Sequence, residues 1–400
     1  MKGAPRGERL GVVAGLAMRS GEPEGAAVAP ARDARAGAGR AGDAVAGAVA
    51  RRPRLRCVRA SGSMAPVSEA SAESVKRVFL VGATGYIGRA VVKELVARGH
   101  SVVCFARPRA GVGGALDEAA TRRALAGAEV RFGDVRDAAS VKRALRGERF
   151  DAVISCLATR SGEPEDAWRI EHGAQGNVLA AAEAAGVARF VLLSAICVQK
   201  PRLAFQHAKL AFEAELAASG LRHAIVRPTA FFKSLSGQIP RVKAGKPFLV
   251  FGDGELTACT PISERDLARF LVDRLGDAES GVFPIGGPGP AITPRAQAEL
   301  LFELLGEPPR IRRVPLRLFD AIVGGLGLAA RVAPPLRAKA ELARIGRYYA
   351  TESMLLWDEE AGRYDADATP AFGEDTLRDH YERVLREGLE GQELGDHAVF

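Results

Sequence analysis

The sequence predicts an α/β fold: a Rossmann-like, doubly wound parallel sheet with a smaller mixed substrate lobe. Three observations predict it. Strand-like and helix-like segments alternate from Lys76 to about Thr229. The strand-like segments are continuous apolar runs, as expected of strands covered by helices on both faces. The first of them runs straight into glycines spaced G-x-x-G-x-x-G at the head of an amphipathic helix.

That first element reads Val78-Phe79-Leu80-Val81-Gly82-Ala83-Thr84-Gly85-Tyr86-Ile87-Gly88, and the helical stripe Ile87, Val91, Leu95 follows it. Gly82 and Gly85 allow a tight turn and close approach to a pyrophosphate. Gly88 lets the helix pack near the strand, and the helix N-terminus offers free N–H groups to an anion. Thr84, Tyr86 and Ile87 complete the cradle between the glycines. The second strand, Ser101–Ala106, continues as Arg107-Pro108-Arg109, without the acid that grips a ribose 2′-hydroxyl in NAD-binding units. Arg107 there suits a 2′-phosphate, which points to NADPH; a solvated surface arginine is the plain alternative. The third strand, Glu129–Phe132, ends in Gly133-Asp134-Val135, a place to hold adenine. The fourth, Ala152–Leu157, ends in Ser155-Cys156-Leu157-Ala158, at the carboxyl edge where such sheets bind ligands. A simple strand-end turn accounts equally for either. Phe190–Ser194 and Ala224–Arg227 complete the predicted strands. The helices between them are Tyr86–Arg98, Ala138–Leu145, Asp166–Ala185 and Phe205–Ala218, with Ala110–Ala128 as a loop plus short helix. Beyond Thr229 the pattern is mixed and rich in Gly/Pro turns. One clear helix starts at Thr293-Pro294, a cap followed by proline.

Charge divides the chain. Residues 1–60 hold 12 Lys and Arg against 5 acids, which accounts for nearly all of the net +8 of the 400 residues. The body is close to neutral, which argues against a nucleic-acid partner. An Arg-rich, acid-poor leader reads as an organelle transit peptide, with a plain disordered extension as the alternative. The expected organisation is a leader over 1–75, a dinucleotide-binding core over 76–229, and a substrate lobe over 230–400 with elements returning to the core. The five cysteines, Cys57, Cys104, Cys156, Cys197 and Cys259, form no C-x-x-C pair. Three lie in apolar strand-like runs, which suggests core thiols in a reducing compartment and no bound metal. The run Leu316–Val332 is broken by Arg317, Asp320 and Arg331, so nothing reads as a membrane span.

The sheet from Val78 through Arg227-Pro228-Thr229 and on into Pro261–Asp266 resembles the atypical short-chain dehydrogenase/reductases. Within them, the stretch from Phe190 to Pro201, Phe205-Gln206-His207-Ala208-Lys209-Leu210-Ala211-Phe212-Glu213 and the ending Glu393–Phe400 are similar to the plastid divinyl chlorophyllide 8-vinyl reductases. The resemblance implies a chloroplast location, NADPH, and reduction of the 8-vinyl group of divinyl (proto)chlorophyllide or divinyl chlorophyll to an 8-ethyl group. It also implies catalytic positions. Ser194 and Lys209 stand where the wider superfamily has its Ser and Lys, and Lys209, at the edge of the helix stripe Phe205, Ala208 and Phe212, would also orient the nicotinamide ribose, with a plain surface lysine as the alternative. The superfamily's Tyr is Phe205 here. Phe has no proton to give, which disfavours carbonyl reduction and is compatible with a conjugated C=C bond. Atypical members without that Tyr also act as photosystem II assembly factors, so an NADPH-bound, non-catalytic assembly factor is the second reading. The proton donor is left open: His172, His207 and Glu171 lie in segments flanking the cleft and could serve, as could water. Phe231, Phe232, Phe248, Phe251 and Leu316–Val332 are candidates to line an apolar pigment pocket, the last segment also to touch a thylakoid or envelope surface, with an ordinary core as the equal alternative.

Overall fold

The computed structural model describes residues 74–159, 163–333 and 336–388. The expected leader, Cys57 and the ending Glu393–Phe400 lie outside the described residues, apart from the last two leader positions.

One sheet organises the molecule. Its strands are β1 (Arg77–Val81), β2 (Ser101–Ala106), β3 (Glu129–Phe132), β4 (Ala152–Ser155), β5 (Arg189–Leu193), β6 (Arg222–Pro228) and β8 (Gly281–Ile285). They lie in the order β3-β2-β1-β4-β5-β6-β8. Every pairing is parallel, with Val81 beside Phe105 on one side and Ser155 on the other. The order reverses between β1 and β4, and this switch point opens a crevice at the strands' carboxyl ends. Helices α1 (Tyr86–Ala97), α2 (Glu118–Ala124) and α3 (Ala138–Leu145) connect the first strands. Then come α4 (Pro164–Ala167), α5 (Gln175–Ala184) and α6 (Ala204–Ala218). Between α4 and α5 the chain makes a π-helical turn, Trp168–Ala174, inside what the periodicity reads as one helix. The seventh strand, β8, is not predicted; its Pro284 and flanking glycines obscure the apolar pattern.

Both faces of the sheet are buried. Leu80, Ile154 and Val226 point to one apolar cluster; Phe79, Val153 and Ile225 point to the other. Cys104, Cys156, Cys197 and Cys259 are buried free thiols, and burial pushes Cys104, Cys156 and Cys259 up to about 12.

The later chain adds α7 (Phe232–Leu235), α8 (Ile239–Lys243), β7 (Phe248–Phe251), α9 (Glu264–Asp273), α10 (Pro294–Leu305) and β9 (Ile311–Val314). It continues with α11 (Leu316–Val332), α12 (Arg337–Tyr349), the hairpin β10 (Leu356–Asp358) and β11 (Arg363–Asp365), and α13 (Leu377–Glu387). Strands β7 and β9 pair in parallel apart from the main sheet. Phe232 and Phe248 belong to a separate core with Phe302 and Tyr381. Of the two readings open for these two phenylalanines, ligand-facing and core, the structure selects the core: they hold α7 and β7 on α10 and α13.

His380 sits in that core. Its Nε2 shares a 2.8 Å hydrogen bond with Ser236 Oγ, and Arg383 donates to its Nδ1 at 3.0 Å. Burial and Arg383 push the imidazole down to about 4, so it is neutral in the fold. Below the ordinary His range the unfolded chain takes up a proton that the fold refuses. Stability therefore falls as pH drops from about 6.5 to about 4, by up to roughly 3 kcal/mol from this group. His380→Gln should flatten the thermal midpoint against pH across that window.

Candidate active site

The glycine cradle is fixed by steric constraint. Gly82 ends β1 at φ +78°, and a Cβ added there would lie 2.4 Å from the Cys156 carbonyl carbon and oxygen, just past β4. A Cβ on Gly88 would lie 2.2 Å from the Gly82 carbonyl oxygen. The Gly85 N–H donates to that same oxygen at 3.0 Å. Gly85 caps α1, whose first turn has no acid and no side-chain cap. The N–H groups of Tyr86, Ile87 and Gly88 thus remain for an anion. This cradle fits a dinucleotide pyrophosphate. Ile87 offers only its backbone, since its side chain is in the core. Tyr86 donates its hydroxyl to Glu264 on α9 at 2.5 Å, which ties the cradle to the later chain. Thr84 lies half-buried in the loop.

Beyond β2, Arg107 and Arg109 are exposed. Asp134 is not free: Arg136 grips it at 2.6 Å. That hydrogen bond, with Arg107 adding a smaller effect, holds its carboxyl below the usual range. The rim is therefore basic on balance, and Arg136 is a residue the sequence reading did not single out. The Val135 carbonyl accepts from Asn177 at 3.0 Å. Leu157 and Ala158 follow β4 beside the cradle, with the Leu157 N–H 3.5 Å from Ser155 Oγ.

At the far end of the crevice, Lys209 is buried rather than at the edge of its helix stripe. Its Nζ pairs with Glu171 Oε2 at 2.8 Å. The other Glu171 oxygen accepts from the Thr159 N–H at 2.8 Å. The π-helical turn carries Glu171, and such turns recur at functional sites. Ser194 directs its hydroxyl to Glu213, which Arg227 grips from β6. Ser194 and Lys209 nevertheless line one narrow cleft with Glu171 and Gln175. Of the histidines, His172 bonds Glu215 at 2.7 Å, and His207 is exposed, two residues from Lys209 on α6. Phe205 packs against the cluster of Ile196, Cys197 and Ile345.

An open hollow of about 110 Å³ lies between the later elements, lined by Phe251, Leu256, Thr257, Pro294, Gly346 and Tyr349. Phe251 stacks edge-on with Phe319 of α11, ring centres 4.6 Å apart.

Known proteins match this arrangement. A family model for NAD(P)H binding matches residues 82–278. The divinyl chlorophyllide a 8-vinyl-reductase of Oryza sativa subsp. indica, named as chloroplastic, is 50% identical over 337 residues, covering 82% of this chain and 83% of the relative. The Cucumis sativus protein of the same name is 48% identical, covering 84% of each. The chain belongs to the divinyl chlorophyllide a 8-vinyl-reductase family. The photosystem II assembly factor Ycf39 of Synechocystis is similar at 27% identity over 60% of the chain and 71% of its own length. Among solved structures, the NAD and UDP complex of Bordetella bronchiseptica WbmG has a TM-score of 0.52 at 20% identity, covering 60% of this chain and 83% of that one. That likeness extends to the Rossmann-like fold.

Removing either partner of the Lys209–Glu171 pair strands a buried charge, at a cost of about 3–5 kcal/mol. Lys209→Met and Glu171→Leu should each lower the denaturation midpoint. The double variant should recover most of the loss, as read by denaturant titration. Gly82→Ala should cost more than about 1 kcal/mol and abolish dinucleotide binding, read by nucleotide fluorescence.

Proposed function

We propose that this protein reduces the 8-vinyl group of a divinyl chlorophyll precursor to an ethyl group, with NADPH, in the chloroplast. The observation that carries this reading is the half-identity to reductases of that name across four-fifths of the chain. The site chemistry supports it, since Phe205 leaves the usual carbonyl-reducing acid out. Residues 1–75 act as a plastid transit peptide, residues 76–229 as the dinucleotide core and residues 230–400 as the pigment lobe.

Each residue has a part. The cradle from Gly82 to Gly88 holds the pyrophosphate. Arg107, with Arg136 beside it, pairs with the 2′-phosphate, which favours NADPH over NADH. Asp134, Val135, Leu157 and Ala158 border the adenine and the ribose. When bound, the cofactor supplies a hydride for the outer vinyl carbon. Lys209, held in place by Glu171, binds the nicotinamide ribose and adds a positive field. Ser194 fixes the strand end through Glu213. The macrocycle spreads the developing negative charge, so no dedicated oxyanion site is needed. The apolar hollow beside Tyr349 and Phe251 receives one edge of the pigment.

Helix α11 leaves Leu318, Ile322, Leu328 and Val332 exposed on one arc, near Arg317 and Arg331. No helix among the described residues is long and apolar enough to cross a membrane. This arc suits a peripheral contact with a thylakoid or envelope surface, where the pigment resides.

Incubation with divinyl chlorophyllide and NADPH should yield monovinyl pigment by chromatography; the absence of product with NADPH firmly bound contradicts the reading. Arg107→Ala should raise the KM for NADPH about tenfold, the loss of one charge-assisted hydrogen bond, and leave that for NADH unchanged. Leu318→Glu with Ile322→Glu should abolish co-flotation with galactolipid vesicles.

A further inference from the structure

Phe205 leaves a chemical gap: the inner vinyl carbon needs a proton, and the superfamily's phenol is missing from α6. Among the residues around Lys209, the histidines do not fill the gap. His172 is engaged by Glu215 and His207 faces solvent. Glu171 is committed to Lys209 and the Thr159 N–H.

Helix α12 comes from far along the chain and packs on this point. Ile345 and Tyr348 join Cys197 and Leu203 in one cluster, with Phe205 against it. The two adjacent tyrosines at its end differ. Tyr348 is buried, and its hydroxyl donates to the Cys197 and Lys200 carbonyls at 2.9 and 3.1 Å, a structural anchor. Tyr349 lines the apolar hollow and keeps 42% of its surface accessible, while its hydroxyl reaches inward to Cys197 Sγ at 3.9 Å. Sulfur is a weak acceptor, so this proton is not held in a strong hydrogen bond. Cys197 lies three residues after Ser194, and Glu171 is near enough to act on the Tyr349 phenol electrostatically. One side chain therefore spans the pigment hollow and the Lys209–Glu171 end of the crevice.

We propose that Tyr349 replaces the missing helix tyrosine and donates the proton that completes vinyl reduction. The inference rests on the reductase reading given above. In the step, the vinyl π bond breaks and a C–H bond forms at the outer carbon with the hydride, so the dihydronicotinamide is oxidised. The electron pair left on the inner carbon, delocalised into the macrocycle, takes the Tyr349 proton as the O–H bond breaks. The phenolate takes its proton back from water once the product has left the hollow. Burial, with Cys197, Tyr348 and Glu171, raises the phenol well above its ordinary range, so the donor is loaded at neutral pH.

The test uses the full chain and Tyr349→Phe, which removes the hydroxyl and keeps the ring. The variant should keep its melting temperature, and its affinity for divinyl chlorophyllide without cofactor should move less than about threefold, because the apolar contact is retained. Its kcat should fall by about 100-fold or more, the scale of a lost general acid. Phe205→Tyr added to that variant should restore part of the rate by returning a phenol to α6. A Tyr349→Phe enzyme with kcat within about threefold of the parent overturns the assignment while leaving the reductase reading intact. A parent protein that forms no monovinyl product overturns both. If the variant misfolds, the parent's solvent isotope effect decides: kcat unchanged in heavy water and with no added deuterium at the inner carbon overturns a protic donor.

Discussion

The site depends on one steric constraint, the crossing of two backbones at Gly82. The end of β1 passes so close to the chain leaving β4 that no side chain fits between them. Gly88 then sets α1 against the same carbonyl that Gly85 uses for its turn. The helix N-terminus consequently faces the switch point of the sheet, where the strand order reverses. Without that approach the N-terminus of α1, the Asp134–Arg136 rim and the Lys209 end of the crevice would lose their common floor. The Tyr86–Glu264 hydrogen bond carries the constraint outward, since α9 packs beside α1 and its hydroxyl partner comes from the later chain.

Around this floor, charge is placed in pairs. Lys209 meets Glu171 from a π-helical turn, and Ser194 meets Glu213, which Arg227 neutralises. Buried ions such as these add little net stability compared with apolar packing, but they fix position, because breaking one pair leaves a desolvated charge. The cation at this end of the crevice therefore comes with its orientation already set. The substitution of Tyr by Phe205 is the chemical counterpart: it removes an acid suited to alkoxides from a site whose charged groups are otherwise retained.

Much of this was legible in sequence because it is local. The strand-turn-helix from Val78 to Gly88, the missing acid after Ala106 and the alternation of strands are short-range patterns, and the first six strands fall within a residue or two of their expected places. The burial of Lys209 was not legible. Its helix stripe places it at an edge, and only the π-helical turn at Trp168–Ala174, which breaks the expected period, brings Glu171 over it. Whether Phe232 and Phe248 face a ligand or the core stays open in sequence, because aromatic residues in a turn-rich segment carry no sign of which side they pack on; α10 and α13 decide that. Strand β8 hid behind its proline. Tyr349 gave no signal, since its relation to Cys197 spans about 150 residues and arises from how α12 docks.

The most direct test of the account is to follow the hydrogen atoms. NADPH deuterated at the transferable position of its nicotinamide should deliver one deuterium to the pigment, located by mass spectrometry and NMR on the outer carbon of the new 8-ethyl group. A monovinyl product without that deuterium, or with it on any other carbon, would contradict hydride transfer from a dinucleotide held in this cradle.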